Sequence, residues 1–162
     1  MTGKRPTILM GMGAGALWAV GVVWLGNSLS VPIGLIQPVL LGAVFAPGLV
    51  LLAMIGRLAQ RRFFDDRTID GDAFAPGSAG DIDQRVLTNT LEQIVLALCL
   101  WPLAGFVLGV GLPLVLGLAF ALARIAFWVG YHRSPPLRGF GFAASFYPTV
   151  LAALWTLAVL IF

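Results

Sequence analysis

The chain has 162 residues, of which 59% are hydrophobic and only 10% charged, and its mean hydropathy is +0.96. That composition excludes an ordinary soluble domain and indicates an integral membrane protein. The net charge of +3 is not gathered into a basic patch interleaved with aromatics, which sets nucleic acid aside, and a single cysteine excludes an intrachain disulfide.

Lys4 and Arg5 precede Thr7 to Leu25, a charge-free run long enough, at ~1.5 Å per residue, to cross a hydrocarbon core of about 30 Å. It is longer than the core of a signal peptide and no A-x-A cleavage pattern follows, so a retained span is expected, with residues 1–32 forming an N-terminal helix and turn. Gly11 and Gly15 make a GxxxG pair, with Gly13 between them, that would let another helix approach closely. After the uncharged break Asn27 to Pro32, a second apolar run covers Ile33 to Ala59, bent at Pro38 and Pro47. Arg57, Arg61 and Arg62 close it. Phe63 to Gly80 then reads as a loop outside the membrane, within a hydrophilic region of residues 61–81, with Phe63, Phe64 and Phe74 resting at the interface.

A third span is expected from Ile82 to Leu103, capped by Asp81, with Asp83 at the favourable end of the helix dipole and a turn near Trp101 and Pro102. Cys99 lies within it and reads as a small buried hydrophobe. The fourth span covers Phe106 to Tyr131, interrupted by Pro113. The connector HRSPPLRG follows, and the fifth span, Phe140 to Ile161, bends at Tyr147 and Pro148. With the N-terminus cytoplasmic, all ten Lys and Arg residues lie at or near the cytoplasmic side, and the odd number of spans puts the C-terminus on the other face. A bacterial inner membrane is the expected location.

Polar residues of three spans converge on the charged face. Arg85, Asn89 and Glu92 fall at i, i+4 and i+7 of one helix, Arg124 and Tyr131 at i and i+7 of the next, and Arg133 and Arg138 flank the connector. Glu92 lies about 10 Å deeper than Arg85 along the helix and needs a partner at that depth. Two readings follow: an ion-pair network from Glu92 to Arg85 or Arg124 that locks the bundle, or a pocket in which arginines take the carboxylates of a small polar anion and Glu92 accepts from its ammonium or amide. His132, the only histidine, has no carboxylate placed to orient it and reads as a solvated interfacial residue. No His, Cys, Asp or Glu cluster has metal-ligand spacing, and neither a Ser or Cys nucleophile set nor a phosphate-cradling glycine loop is present.

RVLTNTLE, Arg85 to Glu92, resembles the R-x-x-x-N-x-x-E signature of the membrane-associated proteins in eicosanoid and glutathione metabolism, the MAPEG family. YHRSPPLR, Tyr131 to Arg138, resembles that family's Y-x-R-S-x-x-L-R connector. The likeness extends from about Pro38 to the C-terminus, implying an all-α, four-helix protomer (residues 33–162) with the first span as an addition. It implies a homotrimer in membrane lipid that binds glutathione between protomers as co-substrate, without metal, and transfers it to a lipophilic acceptor or uses it to reduce lipid hydroperoxides. Arg85, Asn89, Glu92 and Tyr131 would contact glutathione, Arg133 matches a second connector arginine that would position it, and Arg138 would stabilise the thiolate, because a fixed guanidinium beside sulfur lowers the thiol pKa without losing its own proton. Arg124, from the convergent basic face, completes the expected glutathione-binding set. Phe127 stands where well-studied members carry Tyr or His, so one polar contact to glutathione is absent. The alternative is a non-catalytic bundle of the same build, serving as a structural, interaction or lipid-binding subunit.

Overall fold

Among the described residues, breaks at proline, glycine and polar segments divide the apolar chain into six helices: α1 (Lys4–Ser28), α2 (Ile36–Ala43), α3 (Phe45–Phe63), α4 (Ala79–Leu108), α5 (Gly111–Arg133) and α6 (Pro135–Ile161). The computed structural model describes residues 4–32 and 35–162, without the side chains of Lys4 and Ile36; the expected start of the second run at Ile33 lies outside the described residues. Among the described residues there is no strand. Among those residues five stretches are long and apolar enough to cross a membrane: α1, α2 with α3, α4, α5 and α6. The protein is therefore an all-α integral membrane bundle with the expected number of spans.

Several boundaries differ from the sequence reading, each for a local reason. Pro47 has no N–H to give to the carbonyl of Ala43, and the second span breaks at Val44. That carbonyl lies against Gly117 of α5, where a side chain would collide with it. Helix α4 runs through Pro102 to Leu108, and the turn comes at Gly109, whose φ of +125° favours a residue without a Cβ. Pro113 does not interrupt the fourth span. It is the third residue of α5, in the first turn, where its missing N–H costs no helical bond. Ser78, not Asp81, caps α4: its hydroxyl accepts from the N–H of Asp81 (3.2 Å), while the Asp81 carboxylate accepts from the N–H of Gly77 (2.7 Å). Only Ser134, extended at φ −154°, separates α5 from α6, so Arg138 sits in the first turn of α6 and not in a loop.

Helix α1 is packed into the bundle, and its interface with α6 is the most extensive between any two helices. Gly11 lies against the backbone of Pro136 and Phe140, and Gly15 against Ala143 and Ala144, so α1 and α6 run parallel with the GxxxG pair at the seam. At the other end Gly26 meets Leu112, and Gly111 meets Leu29, so α1 and α5 run antiparallel. Gly13 faces open space. Inside the bundle Trp101 stands edge-on to Phe120 (5.9 Å between centroids), and its Nε1 donates to Thr149 Oγ1 (3.1 Å). The loop after α3 is held by Arg62, which stacks on Phe74 (4.5 Å) and donates to the carbonyl of Asp72 (2.8 Å). Phe63 and Phe64 are exposed beside it. Cys99 is exposed on the outer face of α4, contrary to the expected burial: it lies seven residues after Glu92, on the side of the helix turned away from the bundle.

Candidate functional site

The starts of α1, α4 and α6 and the ends of α3 and α5 carry nearly all the charge of the spans. One buried group lies deeper. Arg124, fully buried on α5, donates from Nε and Nη2 to Thr90 Oγ1 (3.0 and 2.7 Å), from Nη2 to Asn89 Oδ1 (3.1 Å), and from Nη1 to Ser145 Oγ (3.4 Å). Its guanidinium also lies 3.9 Å from the centre of the Phe127 ring. No carboxylate forms a salt bridge with it among the described residues. A buried cation needs compensation, and here neutral acceptors and a ring face take up its N–H groups, with the Glu92 carboxylate one layer further out. Ser145 continues the network to Gln93 Oε1 (2.7 Å). Thr90, Gln93 and Ser145 were missed in the sequence reading; their signal was polar character inside apolar helices, which alone does not say which face is buried.

The Arg85, Asn89 and Glu92 stripe lies along the outside of α4. Arg85 is largely exposed and paired with Asp81 in both oxygens (Nε to Oδ1, 3.2 Å; Nη2 to Oδ2, 2.7 Å). Asn89 is half-buried: its oxygen faces Arg124 and its Nδ2 donates to Glu92 Oε2 (3.4 Å). Glu92 is exposed and, among the described residues, makes no salt bridge with Arg85 or Arg124, so the expected direct ion pair is not made within one chain. Tyr131 and Arg138 come together at the α5–α6 junction, with the guanidinium 5.0 Å from the ring centre. Within one chain neither hydrogen-bonds to the stripe among the described residues. Phe127 is 3% exposed and packed against Arg124, Tyr131 and Phe142. The position that lacks a hydroxyl is thus filled by a ring that serves the buried cation.

Arg133 and His132 belong to a different group. Asp83, 2% exposed, accepts from Arg61 Nε (2.6 Å) and Trp128 Nε1 (2.7 Å), and its Oδ1 lies 2.6 Å from His132 Nε2. The expectation that no carboxylate orients His132 is therefore wrong. The two residues are 49 apart in sequence and meet only because α4 and α5 pack antiparallel. Arg133 shares a cleft with Arg57, Arg61 and His132. Among the described residues no three His, Cys, Asp or Glu side chains gather as a metal site would require.

Neither the curated proteins nor the solved structures yielded a match to this chain. The model of the MAPEG family matches residues 38–158, which takes in the bundle from α2 to α6 and both motifs and leaves α1 outside. The chain belongs to the MAPEG family of membrane helical bundles.

Proposed function

We propose that this protein is a glutathione-dependent membrane enzyme of the transferase or peroxidase type, acting on lipophilic electrophiles or lipid hydroperoxides. Membership of a family associated with glutathione supports this reading broadly. The observation that carries it is Glu92, a carboxylate exposed on the outer face of a membrane span whose one hydrogen bond among the described residues is from the Asn89 amide. Such a group is costly against lipid and is accounted for if a polar ligand or a second copy covers it. In this reading three copies assemble so that the Tyr131 and Arg138 corner of one chain faces the α4 stripe of its neighbour. Arg85 and Asn89 hold the tripeptide, Glu92 accepts from its ammonium or amide, and Arg138 stabilises the thiolate. Arg124 acts from behind by fixing Asn89, and Arg133 is assigned to the other cleft. The charged end of the bundle faces the cytoplasm.

The non-catalytic alternative draws support from the Arg85–Asp81 pair, which already occupies the guanidinium meant for glutathione. Calorimetry of the detergent-purified chain with reduced glutathione separates the two. Binding that is lost in Asn89→Ala, together with thiolate absorbance that is lost in Arg138→Ala, supports the enzyme. No binding at millimolar glutathione overturns it.

A further inference from the structure

The cleft around Asp83 shares no residue with the Arg85, Asn89 and Glu92 stripe. It has a volume of about 340 Å³ and is lined by Arg57, Arg61, Asp83, Trp128, His132 and Arg133, from the end of α3, the start of α4 and the end of α5. Three guanidiniums therefore face one carboxylate. That carboxylate is 2% exposed and its oxygens are engaged by Arg61, Trp128 and His132, so it cannot serve as counter-ion to anything else. Its effect is to hold Arg61 and His132 in place. Arg61 uses only Nε toward Asp83, and its terminal amino groups have no protein partner among the described residues. Arg57 is bound only to the neutral Gln60 Oε1 (2.6 Å), and Arg133 has no partner among the described residues. A neighbouring cleft of about 400 Å³ shares Arg57 and Arg61 and adds Gln60, Ser78 and one carboxylate, Asp65, which is paired with Arg67.

We propose that this cleft binds a phosphate ester, presented at the membrane surface by the headgroup of an anionic phospholipid. Guanidinium groups match phosphate oxygens in forked pairs, and a fixed Arg61 loses little freedom on binding. The position fits as well. The cleft sits where α3 and α5 leave the apolar span, with the Trp128 ring as an apolar wall beside the charges, at the depth where indole rings and headgroups meet. Anionic headgroups there attract clustered arginines. This inference does not depend on the glutathione reading.

Native mass spectrometry of the full chain, released from micelles holding equal amounts of phosphatidylglycerol and phosphatidylcholine, tests it. The expected result is a preference for phosphatidylglycerol that falls by about tenfold in the double variant R57Q/R133Q, since each arginine near the surface contributes to anionic-lipid attraction. Both side chains are exposed, so the variant should fold, and R67Q, an exposed loop arginine outside this cleft, serves as the control. Excess glycerol 3-phosphate separates the two sources of the same chemistry: an adduct that persists assigns the site to the bilayer lipid, and an adduct displaced assigns it to a soluble phosphate ester. The proposal is overturned by equal retention of the two lipids, or by a preference that R57Q/R133Q leaves intact or that R67Q lowers equally.

Discussion

Nη2 of Arg124 donates to Oδ1 of Asn89 across 3.1 Å, so a fully buried cation on α5 sets the direction of a half-buried amide on α4. With its oxygen turned inward, Asn89 has only its amide hydrogens to offer the outer face. That arrangement makes the buried network part of the candidate site without exposing it.

Arg124→Ala leaves a cavity and strands Asn89 Oδ1, and is expected to lower stability by about 3 kcal/mol. Arg124→Met fills the space without a charge and should cost less than half as much, because removing a buried ion altogether also removes its desolvation penalty. Both variants should weaken glutathione binding equally, since both release Asn89. Unfolding in mixed micelles and calorimetry read the two effects separately; a Met variant that binds as well as the parent would show that Asn89 needs no anchor.

Phe127→Tyr places a hydroxyl on a ring that is 3% exposed and faces the Arg124 guanidinium. It is expected to destabilise the bundle by about 1 kcal/mol, the order of an imperfectly satisfied buried hydroxyl, and to add nothing to glutathione affinity. Tighter binding in the Tyr variant would mean that this ring reaches the ligand.

Asp83→Ala frees Arg61, Trp128 and His132 from a common acceptor. A loss of about 3 kcal/mol is expected, as when one partner of a buried charge network is removed. His132→Ala, at a side chain 30% exposed, should cost closer to 1 kcal/mol. A double-mutant cycle between positions 83 and 132 should give a coupling energy clearly above zero; strict additivity would show that the 2.6 Å approach carries no energy.

Gly15→Leu puts a side chain where there is no room, since a Cβ at that position would stand 2.5 Å from the Cβ of Ala143, whereas one at Gly13 meets nothing within 4 Å. Gly15→Leu is expected to pry α1 from α6, costing about 2 kcal/mol and raising hydrogen exchange along α1, and Gly13→Leu to be neutral. Equal behaviour of the two variants would remove the GxxxG seam from the account.

The sequence by itself determined the solvent, the number of spans and the end of the bundle that carries the charge. Run length and the distribution of Lys and Arg are one-dimensional properties, and the hydrocarbon core enforces both. It also marked Arg85, Asn89 and Glu92 as one face, because helical spacing is local. It could not decide which partner each polar residue takes. Asp83 and His132, or Arg124 and Ser145, meet through helix packing between residues 49 and 21 positions apart, and no local pattern encodes that distance. The same limit applied to Gly11 and Gly15, whose spacing permitted a close helix contact while only the packed bundle selected α6. Tertiary structure likewise divided the arginines into a buried anchor, an exposed pair with Asp81, and a cleft whose one carboxylate is already taken.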